Sequence, residues 1–155
     1  MFKITYHILK NLYVDKKKIA DDYVRYYWFI GDVKLENNDS RIDMSWGSIP
    51  IVDFAIFFKL ISKSLIGQEN GYKVFDFTES SEYIELYKKA DEIEIHPSFQ
   101  ADTIITNFTE FHNEVDRFYN AVIEDVFHAN SFLRQNEEFL RIINIWIKLV
   151  DLKSY

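Results

Sequence analysis

Four histidines, 25 carboxylates and no cysteine are the material from which this chain would have to build a reactive site. Without cysteine there is no thiolate nucleophile, no disulfide and no Cys-ligated zinc. The histidines fail a geometric test for metal. His112 and His128 are 16 positions apart, about 24 Å along a helix, so they cannot share an ion there. What remains is His112 with Asp116 and Glu124 with His128, each at i,i+4; two ligands are too few for a metal site, and such pairs commonly support a helix. His96 stands before Pro97 at a strand end and has no orienting partner in sequence, as a catalytic imidazole needs. Ser45 and Ser48 flank Trp46-Gly47 outside any G-x-S-x-G pattern, and they read as turn and N-cap residues. The four glycines (31, 47, 67 and 71) are scattered, so no phosphate-cradling loop or dinucleotide fingerprint exists. The expectation is a protein that is not an enzyme, with no catalytic set, no metal and no cofactor.

Chemistry of another kind lies in ESSEYIELYKKADEIEIHPS, residues 79–98. Alternate side chains of a strand share a face, so Ile84 and Leu86 point one way while Tyr83, Glu85 and Tyr87 point the other. The next strand repeats the division, with Ile93 and Ile95 inward and Glu92, Glu94 and His96 outward. Paired as a hairpin through the turn KKAD at 88–91, the two strands carry tyrosines and carboxylates on one surface, bordered by Asp76, Glu79 and Glu82. An antiparallel sheet commonly exposes one polar face, which is the plain reading. The sharper reading is a docking face. Like charges opposite one another on a sheet are destabilising, so such a cluster asks for an external cation, and tyrosine is over-represented among binding hot spots. On that reading Tyr83, Glu85, Tyr87, Glu92, Glu94 and His96 are the partner-binding residues.

The elements that must position this hairpin follow from periodicity. Phe2, Ile4, Tyr6 and Ile8 alternate with Lys3, Thr5 and His7, as in a half-buried strand. DKKK at 15–18 reads as a solvated turn. Val24, Tyr26, Trp28 and Ile30 keep even parity, but Val33 and Leu35 are odd; a bulge at Gly31-Asp32, with Gly31 at positive φ, would restore one buried face. After the turn NNDS at 37–40, Ile42, Met44 and Trp46 alternate again. A helix from about Pro50 to Ile66, apolar on most sides and capped by Gly67, reads as nearly buried. Strands are expected at 72–77, 83–87 and 92–96. Two helices close the chain. Phe108, Phe111, Val115, Phe118 and Val122 set the first, with Asn107 as N-cap and Glu110 in a variant capping box. Arg141, Asn144 and Lys148 stripe the second, whose Ile-rich alternation leaves a strand as an alternative. The expected fold class is α+β: a single domain over residues 1–155, a mainly antiparallel sheet, one central near-buried helix and two C-terminal helices.

With 155 residues, the chain is long enough for one core, and 17% aromatic content sets it apart from disordered chains. Its net charge of −7 is unevenly spread: residues 1–75 carry 11 Lys and Arg against 9 Asp and Glu, whereas residues 76–155 carry 7 against 16. Direct nucleic-acid binding is disfavoured, since it relies on clustered Lys and Arg, while a basic protein partner fits. The most apolar run, 49–66, is interrupted by Asp53, Lys59 and Lys63 and falls short of a bilayer span, so no membrane association is expected. With no signal-peptide pattern and no cysteine, the expected location is the cytoplasm.

The order of an aromatic strand, Trp46-Gly47-Ser48, an apolar helix, YKVFDF at 72–77, an acidic hairpin ending EIEIHPSF, and NFTEFHNEVDRFYNAV resembles the immunity proteins of bacterial polymorphic toxin systems. The richness in Ile, Asn, Lys, Tyr and Phe suits such a bacterial origin. The resemblance implies a cytoplasmic protein that protects its own cell by binding a toxin domain, often a basic nuclease, and blocking its active site. Two other readings stay open from the residues: a small metal-dependent hydrolase using scattered His and Asp/Glu, and a structural protein that self-associates through the same face. Oligomeric state is not legible.

Overall fold

Period-two alternation at the amino terminus builds the first of two antiparallel sheets. The computed structural model describes residues 1–10 and 28–144; the expected turn at 15–18, the even-parity residues Val24 and Tyr26, and Lys148 lie outside them. Strands β1 (Lys3–Lys10), β2 (Ile30–Glu36) and β3 (Arg41–Pro50) form a three-stranded meander in the order β1-β2-β3. Helix α1 (Ile51–Leu65) follows directly, and its first N–H donates to Phe29 O at 2.8 Å in place of a side-chain cap. A second meander of β4 (Asn70–Asp76), β5 (Tyr83–Lys89), β6 (Glu92–Pro97) and β7 (Ile104–Asn107) runs in strand order, and α2 (Phe108–Ala129) leaves β7 without a loop. A 3-10 turn at Ser131–Gln135 and a helix over 137–144 complete the described chain, so the carboxy-terminal segment is helical as far as it is described. The fold is α+β.

Ten of the fifteen α1 residues are buried, because the helix meets strands of both sheets and also α2. Phe54 is its hub. Its ring stacks on Phe58 at 4.3 Å, meets Phe75 of β4 edge-on at 5.0 Å and approaches Phe118 of α2 at 6.0 Å. Edge-to-face and offset contacts of this kind suit the ring quadrupole and add to the area each Phe removes from water. The end of α1 is as expected: Gly67, just past the C-cap, takes φ +75°.

Helix α2 begins as its spacing predicts. Asn107 Oδ1 accepts from the N–H groups of Thr109 (2.9 Å) and Glu110 (3.4 Å). Glu110 does not complete the box; its carboxylate faces β1 and accepts from Phe2 N–H at 3.4 Å. One turn on, Glu114 Oε1 accepts Ile4 N–H at 2.8 Å and Arg117 Nη2 donates to Ile4 O at 2.7 Å. Helix α2 thus occupies the outer edge of β1 with a charged clasp, as a fourth strand would.

Several expectations are corrected. There are two sheets rather than one, and the second has a further edge strand, β7. The buried set Phe29, Gly31, Val33, Leu35 runs without a break, so Gly31-Asp32 does not reverse the parity of β2. The register does slip beside Gly31, but the added residues are in the partners: Gly31 faces Ile49 and Val33 faces Met44, and Leu9 is the extra residue on β1. The positive φ belongs to Gly47, at +67°, whose N–H donates to Asp32 Oδ1 at 2.7 Å. This bulge turns Trp46 out of the alternation onto Phe77 and Phe99, leaving it part-exposed. Ser48 is a strand residue and Pro50 holds the N-cap position, while Ser45 bonds the Asp43 carboxylate.

Gly31 is needed for space: a Cβ there would lie 1.8 Å from His7 O. Gly31→Ala is therefore expected to cost about 3 kcal/mol or more, since backbone cannot yield as a side chain can. Gly67→Ala, with open space around it, should cost only about 1 kcal/mol for its left-handed φ. Urea denaturation of both variants checks the order; equal losses would remove the steric account of Gly31.

Candidate functional site

The outer face of the four-stranded sheet is assembled by register. Lys89 faces Glu92 and Glu92 faces Asn107; Tyr72 faces Tyr87, which faces Glu94, which faces Ile105; Val74 faces Glu85, which faces His96; Asp76 faces Tyr83. Side chains in directly opposed positions point to the same side of a sheet. Tyr83, Glu85, Tyr87, Glu92, Glu94 and His96 therefore share one surface, while Ile84, Leu86, Ile93 and Ile95 are fully buried beneath it. The hairpin turn has two residues, with Ala90 at φ 53°. Glu79 and Glu82 lie in the connection between β4 and β5, where Glu82 bonds Ser98 Oγ.

Three apolar or aromatic members of this face are not legible in the sequence: Tyr72, Val74 and Ile105. In YKVFDF both parities are apolar, so either set could face inward. The larger Phe75 and Phe77 are buried, which turns Tyr72 and Val74 outward. Ile105 sits beside the buried Ile104 in a strand too short to show a period.

Contacts across the face are specific. Tyr72 Oη donates to Glu85 Oε1 at 2.7 Å, and the Tyr72 and Tyr87 rings lie 4.8 Å apart. His96 stands edge-on to Tyr87 at 5.3 Å, with its Nε2 2.9 Å from Glu94 Oε2. No two carboxylates oppose each other on neighbouring strands, because Glu85 lies between Val74 and His96, and Glu94 between Tyr87 and Ile105. The expected like-charge clash is therefore absent from the rows, and the negative charge is spread by interleaving. Of the two lysines that end β5, Lys88 is withdrawn: it is nearly buried over the Phe108 ring and donates to Ala90 O at 2.8 Å. Lys89 remains as the lysine of the face, against Asp76, Glu85, Glu92 and Glu94. An open groove of about 560 Å³ runs beside Tyr72, Tyr87, Lys89 and Glu94.

A second cluster joins the two main helices. Ser62 Oγ lies 2.7 Å from His112 Nδ1, His112 Nε2 lies 3.8 Å from Asp116, and Asp116 accepts from Lys59 Nζ at 2.6 Å. The residue types are those of a nucleophilic triad, yet Ser62 is fully buried near the C-terminal end of α1 and the His–Asp distance is too long for a hydrogen bond. The cluster is a polar tie between α1 and α2. Glu124 pairs with Arg134 at 2.8 Å rather than with His128. Among the described residues no three or more His, Cys, Asp and Glu are grouped to hold a metal, and no helix is long and apolar enough to cross a membrane.

The Glu85 hydrogen bond, more than loss of water, pushes the Tyr72 phenol up to about 12. Partial loss of water and then the Glu85 charge raise Tyr87 as well. A raised phenol favours the folded state while protonated, so this contribution is complete below pH 10 and is lost as pH rises toward 12. Glu85→Ala should return the Tyr72 titration toward 10, read by ¹³C resonances of the tyrosine rings; a titration still near 12 would show that Glu85 is not the cause. Comparison with known protein families, curated proteins and solved structures finds no match to this chain.

Proposed function

We propose that this chain is a non-catalytic binding protein of the immunity type, whose outer β4–β7 face docks a basic toxin domain. One observation carries the reading. Of the nine large apolar or aromatic side chains exposed among the described residues, five (Tyr72, Val74, Tyr83, Tyr87 and Ile105, each 38–50% exposed) lie on this one face. Apolar surface gathered in one place and mixed with polar groups marks an interaction site, whereas scattered exposure does not.

The three-stranded sheet is an internal control. Its solvent face has Lys3 opposite Glu36 and Glu36 opposite Arg41, then Thr5 opposite Lys34 and Lys34 opposite Asp43. Asp43 lies within 3.7 Å of Lys34 and 3.5 Å of Arg41. That surface balances its own charge, as a solvated face does. The β4–β7 face has four carboxylates and one lysine, so a cationic partner complements it. In this reading Glu85, Glu92 and Glu94 take positions where a nuclease expects phosphates, and Tyr83, Tyr87 and Tyr72 anchor the contact. The tilted contact of the Tyr72 and Tyr87 rings holds two anchors in place before binding, which lowers the ordering cost of association. The toxin assignment rests on the sequence resemblance; the docking face rests on the exposed side chains.

Binding kinetics with a basic toxin domain as the partner test the proposal. Glu85→Lys, Glu92→Lys and Glu94→Lys should chiefly slow association, an effect that added salt erases, because exposed charges steer encounter. Tyr83→Ala and Tyr87→Ala should speed dissociation, each by on the order of 2 kcal/mol. Arg41→Glu and Glu124→Lys, away from the face, should leave both rates unchanged. Parental binding by all five face variants, with loss in Arg41→Glu or Glu124→Lys, would place the docking site elsewhere.

A further inference from the structure

Antiparallel pairing uses the backbone groups of every second residue, so an edge strand turns the intervening N–H and C=O groups outward. Three of the four sheet edges have these groups met by side chains. On β1 the clasp from Glu110, Glu114 and Arg117 takes Phe2 N–H and both groups of Ile4. On β3 the Gln100 amide spans two outward groups, accepting from Asp43 N–H at 3.2 Å and donating to Arg41 O at 2.7 Å. On β7, Asn37 Nδ2 donates to Ile105 O at 3.0 Å.

The β4 edge differs. Phe77 N–H bonds Glu82 O and Ala90 N–H bonds Glu69 O, which bracket the β4–β5 ladder and assign the odd-numbered residues of β4 to bonding with β5. Tyr72 and Val74 therefore direct their N–H and C=O groups away from the sheet, and among the described residues nothing meets them there. Both residues are exposed, and the register runs unbroken from Asn70 to Asp76, with no bulge or proline to blunt the edge.

We propose that the β4 edge is a strand-addition site, where an extended segment of a basic protein partner pairs antiparallel with Tyr72 and Val74 and sets its cationic side chains on the carboxylate-bearing face. The inference rests on the docking-face reading and adds its mode. Partner residues that exchange backbone bonds with Tyr72 and Val74 have their side chains on the same side as those two, in line with the rows that contain Glu85 and Glu94 and beside Asp76. Cations fit those places. A second copy of this chain would instead set two acidic faces side by side.

The test titrates the ¹⁵N-labelled protein with an alternating Lys-Val decapeptide. Two further forms have N-methyl groups on every lysine or on every valine, so charge and side chains are kept. Strand addition with lysines on the acidic face uses the lysine amides. Methylating these should weaken binding at least tenfold, methylating the valine amides far less, and the unmodified peptide should protect the Tyr72 and Val74 amides from exchange. Val74→Pro removes an outward N–H and no bond to β5, and should also weaken binding at least tenfold. Equal affinity of all three peptides, with shifts at Tyr87 and Glu94 but none at the β4 edge, overturns strand addition and leaves the docking face standing. No binding by any form overturns both. A concentration-dependent dimer that Val74→Pro abolishes makes the occupant a second copy and overturns the choice of partner.

Discussion

Burial of α1 is the constraint on which the rest depends. A helix apolar on most of its circumference must be covered on several sides at once, and no single sheet of this size can do that. The second meander and α2 supply the further cover, and Phe54 touches both of them. Because α1 occupies the inner side, with Phe75 and Ile84 buried, the four-stranded sheet has its other side free. The exposed face is thus a consequence of where the core lies, and its residue content is what calls for explanation.

The same economy shapes the edges. Helix α2 follows β7 without a loop, which fixes where its first turns fall, and Glu110, Glu114 and Arg117 then lie along β1. A single glutamine, Gln100, serves β3 with the two ends of its amide. Each device satisfies backbone groups that would otherwise pair with another chain. The β4 edge, which has none of them among the described residues, adjoins the face where tyrosines and carboxylates collect. Two features that favour association therefore meet on one side of the molecule, while the self-balanced face of the three-stranded sheet favours solvation.

What could be read from sequence was local. Alternation located β1, β5 and β6, helical spacing located α1 and α2, and Asn107 and Gly67 marked helix ends, because each of these signals is contained in a few neighbouring residues. The face bearing Tyr83, Glu85, Tyr87, Glu92, Glu94 and His96 followed from period two alone. What escaped depended on distant partners. Gly31 is required by His7 O across the β1–β2 pair, Trp46 leaves its alternation because of a bulge set by Asp32 and Gly47, and Glu110 exchanges its capping role for Phe2, 108 positions away. Tyr72 and Val74 were hidden because YKVFDF is apolar on both parities, and only packing of Phe75 and Phe77 decides which side is buried. Ser62 and His112 likewise meet only when α1 and α2 pack.

The most direct test of the proposed docking face is amide hydrogen exchange on the protein with and without a bound basic domain. The face account predicts slowed exchange concentrated in β4, β5 and β6, with the three-stranded sheet and the exposed side of α2 unchanged. Slowing confined to α2 or to β1–β3, with 70–97 exchanging as in the free protein, would contradict it.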